Sequence, residues 1–191
     1  MLDYVDYGWK KITEEVFYTG KKMVPVDRLH VEFLKKQALN NPRKRSRLCA
    51  HYDTDEITQE MIIVLGQGNY VHPHKHLGKS ESFHVIEGCA DLVFFDDEGQ
   101  LTDVIQLGDY ASGKMFYYRI ADAINHSVIV RSDVFIFHET TKGPYIQSHR
   151  ADTVFASWAP KESDSEKAQA YFYNFFNLTG ALALRKAEVH P

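Results

Sequence analysis

The sequence is poor in the features that mark a disulfide-stapled or membrane-bound protein. Its 191 residues include only two cysteines, Cys49 and Cys89. Their spacing does not decide whether they pair, and two free thiols in a reducing cytoplasm are the simplest expectation. No stretch is long and apolar enough to span a bilayer. The first residues, MLDYVDYGWKK, lack the basic start and apolar run of a signal peptide. We therefore expect a cytoplasmic protein without a membrane partner.

A strong excess of one charge is also absent. The 22 basic and 26 acidic side chains give a net charge of −4, which argues against a dedicated nucleic-acid binder. The hydrophobic fraction of 44% is ordinary for a globular protein, and the length suits one domain with extensions. The one basic cluster, RKRSR at 43–47, is predicted to be a solvated turn after a helix, with binding of an anionic ligand or partner as the alternative.

Histidine, in contrast, is abundant, with ten residues in the chain. Three of them alternate in the run HPHKH: His72, His74 and His76. Side chains at positions i and i+2 of a strand point to the same face, so His74 and His76 can converge on one point. Glu81 supplies a third ligand if the chain turns after His76 and re-enters a strand. Imidazole and carboxylate bind divalent transition metals well, so the run predicts a metal site completed by a ligand from elsewhere.

The rest of the pattern predicts an all-β protein with a helix near each end. Asp27 is placed to cap a helix that ends at Asn40-Asn41-Pro42. A second helix is predicted over SEKAQAYFYNFFN, with Ser163 or Ser165 near its cap and its aromatic face packed on the barrel or on a partner subunit. Between them lie short strands with turns at regular spacing, as in a sandwich or barrel. Two turns, DDEGQ and RSD, are predicted to close hairpins.

This pattern divides the chain into three parts of one structural domain. We expect an N-terminal strand arm and helix over 1–50, a β barrel over 51–160, and a C-terminal helix and tail over 161–191. The strand-forming arm and the aromatic-rich tail helix both need something to cover them, and pairing of subunits through sheet edges would hide an exposed strand. We therefore expect a homodimer.

The histidine run also fits a longer spacing pattern, Gly-x5-His-x-His-x4-Glu-x6-Gly. Its fixed positions are filled by Gly68, His74, His76, Glu81 and Gly88, as in the first sequence motif of the cupin proteins. The second cupin motif is normally Pro-x-Gly-x-x-His, and the corresponding stretch is ADAINH at 121–126. There the proline and glycine are replaced by alanines, and only the histidine, His126, remains.

Four further segments narrow the resemblance: HKHLGKSESFHVIEG, VFFDDEGQ, FHETTKGP and FASWAP. Together they resemble the WbuC-type cupin-fold metalloproteins, over residues 24–162. The resemblance implies a cupin double-stranded β-helix, or jelly-roll barrel, and a divalent metal bound by His74, His76, Glu81 and His126. It also implies an association with surface-polysaccharide metabolism, without a defined reaction. The residue types suit Fe, Mn, Ni, Co or Zn, and the sequence does not separate these metals.

Several polar residues near the ligands are candidates for substrate chemistry. His72 shares the parity of His74 and His76, and His138 is in phase with Val134 and Ile136, so both are predicted to face the pocket as catalytic proton carriers. A rim histidine bonded to water and a satisfied core histidine are the respective alternatives. Tyr118 and Arg119 are candidate substrate-binding residues on neighbouring positions of one strand, and Arg119 suits a carboxylate or phosphate.

Two functions of different classes fit this pattern. The first is a metal-dependent enzyme, an isomerase, epimerase or dioxygenase, that acts on a small polar ligand such as a sugar, a sugar derivative or a hydroxy or keto acid. The second is a non-catalytic binding or regulatory module in which the metal orders the barrel or holds a metabolite. Cupin folds host both kinds of function, so the fold does not choose between them. The enzyme is the preferred hypothesis.

Overall fold

The fold is built from two β-sheets that face each other, with one helix packed outside each sheet. A computed structural model describes residues 3–145 and 152–189. The first sheet has seven strands in the order β1-β2-β3-β4-β11-β6-β9, and the second has five in the order β12-β5-β10-β7-β8. Within each sheet all pairs are antiparallel except β2 with β3. Pairs such as β4 with β11, β11 with β6 and β5 with β10 join strands that are distant in sequence, as in a double-stranded β-helix of the cupin type with flanking helices.

The strands are short, and none is longer than nine residues among those that the structure describes. In the seven-stranded sheet they are β1 (Lys10–Lys11), β2 (Val16–Tyr18), β3 (Arg45–Cys49), β4 (Thr58–Gly66), β6 (Glu81–Glu87), β9 (Tyr117–Ile120) and β11 (Val134–Lys142). In the five-stranded sheet they are β5 (His74–His76), β7 (Cys89–Phe95), β8 (Leu101–Gly108), β10 (Asn125–Val130) and β12 (Thr153–Phe155). The helices are α1 (Arg28–Asn40) and α2 (Ser165–Val189).

Helix α1 begins where the sequence predicts. The Asp27 carboxylate accepts hydrogen bonds from the backbone N–H groups of Leu29 and His30, which otherwise have no partner in the first turn. The helix ends at Asn40, just before Asn41-Pro42. Its apolar face, which includes Phe33 and Leu34, packs on the outer face of the seven-stranded sheet. That packing fixes which face of β3 and β11 is left for the interior.

Helix α2 covers the outer face of the five-stranded sheet. Phe172 and its aromatic neighbours contact a cluster on β7 and β10 that includes Val93 and Ile129. Arg131 links the sheet to the helix. Its Nε donates to Oδ2 of Asp91 on β7 at 2.8 Å, and its guanidinium lies 4.2 Å from the centre of the Phe176 ring on α2. The aromatic face of the predicted C-terminal helix therefore packs on the barrel.

Two expectations from local pattern need correction. The RSD segment does not close a hairpin, because β10 pairs with β5 and β7 whereas β11 pairs with β4 and β6. It carries the chain from one sheet to the other. The basic cluster is not a simple turn either, because its second half forms β3, which pairs with β4 in the barrel sheet. The N-terminal arm and the barrel thus share one sheet.

The structure adds two facts about the chain as a whole. Cys49 lies on β3 of one sheet and Cys89 on β7 of the other, and both are free thiols. Among the described residues, no helix combines the length and the apolar character needed to cross a membrane.

Candidate metal centre

Three strands bring the four predicted ligands together on the inner wall of the barrel. His74 and His76 lie on the three-residue strand β5. His126 on β10 is the direct cross-strand partner of His74. Glu81 is the first residue of β6 in the facing sheet. The alternation of side chains along β5 therefore aims both histidines inward, towards the two ligands from other strands.

The four side chains are close enough to share one cation. Each offers one ligand atom, and these atoms all lie within 4.8 Å of one another. His76 Nε2 is 3.0 Å from Glu81 Oε2, and His126 Nε2 is 3.4 Å from Glu81 Oε1. Three nitrogens and one carboxylate oxygen, directed at a common centre, are a suitable donor set for a divalent transition metal.

The Nδ1 atom of each imidazole in the group contacts an oxygen atom on the side of the ring away from the proposed metal. Nδ1 of His74 lies 2.8 Å from the backbone oxygen of His72, and Nδ1 of His126 lies 2.9 Å from that of Ile124. Nδ1 of His76 lies 3.2 Å from the Thr153 hydroxyl on β12. A carbonyl can only accept, so Nδ1 carries the proton in His74 and His126, which leaves Nε2 with a free lone pair directed at the centre. Such backing is usual for metal-ligating histidines.

The electrostatics of the group keep His74 neutral and Glu81 ionised, the forms that bind metal, whereas in the metal-free site Glu81 favours the protonated form of His126. Burial, followed by the neighbouring His126, lowers the pKa of His74 to about 4, so this imidazole is neutral near pH 7. Burial raises the pKa of Glu81, but the close contacts with His126 and His76 and their positive charge outweigh it and hold the pKa well below its usual value. For His126, burial works to lower the pKa, and the Glu81 carboxylate outweighs it and raises the pKa. Glu81 is therefore ionised, and a cation at the centre would take over the role of balancing its charge.

One buried atom tests whether the residues fit a metal. His126 is 2% exposed, and its Nε2 has no hydrogen-bond partner among the described residues. The 3.4 Å contact with Glu81 is near enough for charge attraction but does not meet the geometry of a hydrogen bond. A buried polar nitrogen without a partner is costly, and coordination to a cation would satisfy it. The residues present therefore fit a divalent metal.

Tyr118 lies beside the ligands. It is buried on β9, and its hydroxyl donates to Glu81 Oε1 at 2.9 Å. This contact orients the carboxylate that faces the histidines. The structure thus gives Tyr118, predicted as a substrate-binding residue, a direct contact with a ligand side chain.

The four ligands form one wall of a cavity of about 590 Å³, a volume within the usual range for small-molecule sites. The cavity runs between the sheets and is open to solvent. Apolar side chains line its middle, among them Ile63, Val128 and Phe137. Charged side chains from the N-terminal arm, β3 and the segment before α2 line the far end: Glu15, Arg43, Arg45, Arg47 and Glu162.

His72 lines this cavity, as its parity predicts, but its ring is engaged. The ring is 8% exposed and stacks between Tyr70 and Phe155. Its Nε2 lies 3.0 Å from the backbone oxygen of Ala156, to which it donates. This bond occupies one ring nitrogen and ties the stretch before β5 to the segment after β12.

Two predicted site residues lie outside the cavity. His138 is on the opposite face of β11 from the cavity-lining Phe137 and Glu139, and its Nε2 is 3.6 Å from Glu60 Oε1 near the outer surface. Val134 and Ile136, which share its parity, do pack in a core, but that core lies between the sheet and α1. Arg119 is exposed on β9, on the face opposite the buried Tyr118. The pocket-facing role of His138 and the substrate-clamp role of Arg119 therefore find no support in their positions.

The cavity contains two kinds of residue that sequence analysis missed. Glu139 on β11 lines the cavity, and burial, followed by the negative charge of Glu81, raises its pKa to about 8, while Arg47 acts in the opposite direction. The arginines of the basic cluster line the far end. The alternation of side chains along a strand could have indicated both, because Glu139 lies on the same face of its strand as Phe135 and Phe137, and Arg47 lies on the same face as Arg45.

Comparison with known proteins gives a partial family match. The profile of a family described as Domain of unknown function (DUF6016) matches residues 26–107, less than half of the chain. That segment includes α1, β3 and three of the four candidate ligands. No curated protein sequence matches the chain.

Solved structures with partial similarity include three bacterial proteins. Protein SO0799 from Shewanella oneidensis is 18% identical, with 56% of this chain and 66% of that chain covered and a TM-score of 0.42. The capsular polysaccharide assembling protein CapF from Staphylococcus aureus is 17% identical, with 53% and 27% covered and a TM-score of 0.44. Oxalate decarboxylase from Bacillus subtilis, which contains Mn(II) centres, is 18% identical, with 48% and 23% covered and a TM-score of 0.39.

The chain thus spans between about a quarter and two thirds of the length of these proteins. The fold assignment rests on the strand order of this chain itself, and the metal centre rests on the positions of its own four side chains.

Proposed function

We propose that this protein is a metal-dependent enzyme that acts on a small polar substrate within the barrel cavity. The observation that carries the proposal is the convergence of His74, His76, Glu81 and His126, with each imidazole held through Nδ1 so that Nε2 is directed inward. A second support is the cavity beside them, which is large enough for a sugar-sized molecule. The metal, once bound, supplies Lewis-acid polarisation of substrate oxygens.

The donor set leaves room for substrate on most candidate metals. Four protein ligands would fill four of the six positions on an octahedral Fe, Mn, Co or Ni ion and would leave two for other ligands, and the four ligands line an open cavity. On zinc, four protein ligands complete a tetrahedron, and the site would then be structural. The identity of the bound metal therefore separates the enzyme from its alternative, a non-catalytic binding or regulatory module.

The residues of the chain provide for the proton movement that such a reaction needs. Glu139 lines the cavity, and burial, the larger cause of its raised pKa, persists when a cation offsets the charge of Glu81, so this carboxyl group is suited to hold and release a proton. Tyr118 keeps Glu81 in position through its hydroxyl. The apolar side chains in the middle of the cavity, such as Phe137 and Val128, limit the water that surrounds a bound substrate.

Carbohydrate chemistry is the more specific part of the proposal. The sequence resembles the WbuC-type proteins, which are associated with surface-polysaccharide metabolism, and the cavity combines polar ends with an apolar middle that suits a sugar derivative. We further propose that the chain forms a homodimer, which sedimentation analysis of the purified protein would test directly.

The test measures metal, binding and turnover on the same preparation. Protein purified without a metal-binding tag is analysed for bound metal, and it is then incubated with sugar derivatives and with hydroxy and keto acids. We expect near-stoichiometric Fe, Mn, Co or Ni and turnover that chelator treatment removes. Glu139→Gln should retain the metal and lose turnover by about 100-fold or more, whereas Glu60→Gln, a matched change on the outer face of β4, should change neither.

Two results would contradict the enzyme. One is a tetrahedral zinc ion with no uptake of any candidate ligand. The other is full turnover by Glu139→Gln, which would remove this carboxyl group from the proton step. Absence of any bound metal in the wild-type protein would contradict the metal centre itself.

A further inference from the structure

The three arginines of the basic cluster at 43–47 line the cavity, and Arg43 and Arg47 are also exposed to solvent. Arg45 and Arg47 lie on β3, which pairs with β2 on one side and β4 on the other. A strand in the interior of a sheet exposes two faces, and successive side chains alternate between them. The residues on each face therefore determine what β3 contributes to the contact with α1 and to the cavity.

The outer face of β3 is occupied by α1. The Ser46 hydroxyl donates to the backbone oxygen of Leu34 at 2.7 Å, and Leu48 is completely buried against the helix. Arg45 and Arg47 consequently point to the other face, which is the inside of the barrel. Because the cavity is open to solvent, Arg47 stays exposed on this face, whereas Arg45 is half-buried.

Two of the three arginines have their partners. Arg45 pairs with Glu15 Oε2 at 2.9 Å and with Glu162 Oε1 at 3.1 Å. Arg43 pairs with the same two carboxylates. Among residues 3–145 and 152–189, no carboxylate forms an ion pair with Arg47. Arg47 contacts the Cys49 thiol, a weak acceptor, and is thus the arginine of this group whose charge no described carboxylate balances.

The surroundings of Arg47 contain groups that complement an oxyanion. Tyr145 also lines the cavity. Tyr18 lies near enough to Arg47 for that positive charge to oppose the raised pKa of its hydroxyl, which lies 3.3 Å from His51 Nε2. The end of the cavity around Arg47 therefore carries positive charge, with Tyr145 among its lining residues.

Arg47 and the metal centre lie at opposite ends of one inner wall. Arg47 pairs with Ile63, Ile63 with Phe137, and Phe137 with Val85, four residues beyond Glu81 on β6. Three strand spacings and four residues along a strand correspond to roughly 20 Å between backbones in a flat sheet. The side chains of Arg47 and of the four candidate ligands line the same cavity of about 590 Å³, so one molecule bound in it can contact both.

We propose that Arg47 binds the anionic group of a small ligand whose other end reaches the His74–His76–Glu81–His126 centre, so that the substrate is an oxyanion-bearing polar molecule such as a sugar acid or sugar phosphate. This inference rests on the proposed function and specifies its substrate class. A guanidinium binds carboxylate or phosphate through two parallel hydrogen bonds, which gives charge selectivity as well as affinity.

Matched probe pairs test the charge selectivity. Binding of galacturonate is compared with galactose, and binding of glucose 6-phosphate with glucose, by calorimetry on metal-loaded protein. We expect at least one anionic member to bind about tenfold or more tighter than its neutral partner. Arg47→Gln should reduce that ratio to within about twofold, and Arg47→Lys should leave an intermediate ratio. Arg119→Gln, the same change on the exposed face of β9, should leave it intact.

The pattern of results distinguishes the two proposals. If neither anionic probe binds better than its neutral partner in the wild-type protein, or if Arg47→Gln keeps the preference, the role of Arg47 is wrong. The same titrations on chelator-treated protein report on Arg47 alone, so a failure of the metal centre would not mask the result. The metal content and melting temperature of each variant show that it is folded, and the preference of the wild-type protein should weaken as salt is raised.

Discussion

The two ends of the cavity differ in how their charged groups are satisfied. At the metal end, His126 and Glu81 are 2% and 5% exposed, and every imidazole is fixed through Nδ1 by a backbone oxygen or a hydroxyl. At the arginine end, Arg47 is exposed to solvent and has no ion-pair partner among the described residues. The first arrangement holds donors rigidly for a resident ion. The second leaves a charge free for a molecule that enters and leaves.

The largest effect should follow from removing a ligand at the rigid end. His126→Ala deletes one of four donors and is expected to weaken metal binding by about 100-fold or more, beyond the ~10–100-fold typical of changes to residues that only support a ligand. Elemental analysis after dialysis measures this directly. His84→Ala, on the exposed face of β6, should retain full metal. Stoichiometric metal in His126→Ala would remove this residue from the ligand set.

A smaller effect should follow from loosening a ligand without removing it. Tyr118→Phe deletes the hydroxyl that donates to Glu81 Oε1 at 2.9 Å, and metal affinity should fall by about tenfold. Competition with a chelator of known affinity gives the value. Tyr117→Phe makes the same change on the exposed face of the same strand and should have no effect. Equal affinities for the two variants would show that the position of Glu81 does not depend on Tyr118.

Between the two ends, Glu139 should make the stability of the metal-free protein depend on pH. Its pKa is about 8 in the fold against 4.5 for a free glutamate, so the folded state holds a proton that the unfolded state has lost between these values. Its stabilising contribution is complete below pH 4.5 and is lost as the pH rises through 8. Glu139→Gln should therefore raise the melting temperature at pH 8.5 by roughly 5 °C, and by much less at pH 5.

Thermal denaturation of chelator-treated protein at both pH values measures this difference. Bound metal should reduce it, because a cation offsets the negative charge of Glu81, the second cause of the raised pKa. An equal change in melting temperature at both pH values would mean that Glu139 does not titrate in this range.

The smallest effect should come from a paired arginine. Arg45 lies on the same face of β3 as Arg47, but Glu15 and Glu162 already balance its charge. Arg45→Gln should change the preference for an anionic ligand by less than about twofold, measured with the same probe pairs as for Arg47→Gln. If Arg45→Gln reduced this preference as much as Arg47→Gln does, both arginines would contribute to ligand binding, and the ion pairs of Arg45 would not prevent it from doing so.

The metal end could be predicted from sequence because its spacing is local. Three ligands fall within residues 74–81, and the alternation of a strand is enough to place His74 and His76 together. The fourth, His126, was identified through resemblance, and its pairing with His74 is a long-range property of the barrel. The all-β class, both helices and most strands also follow from local pattern, since turn residues and apolar alternation act over a few residues.

The arginine end could not be predicted because it depends on which side of each strand faces inward. Alternation separates the two faces of β11 but does not say which one lines the cavity, since Val134 and Ile136 pack under α1 while Phe135 and Phe137 pack between the sheets. With both faces apolar, His138 was predicted to face the pocket, whereas Glu139 on the other face lines it. The RSD segment was misassigned for a related reason, because a short polar turn looks the same whether it closes a hairpin or crosses between sheets.

The short strand β12 has a consequence for how the protein matures. All four ligands have been synthesised once the ribosome reaches His126, yet the hydroxyl beside His76 belongs to Thr153, and the carbonyl that holds His72 belongs to Ala156. A nascent chain that has not added these residues lacks the last support of its metal-binding strand. We therefore expect the ion to be captured late, after translation has passed the barrel, and not while the first motif emerges.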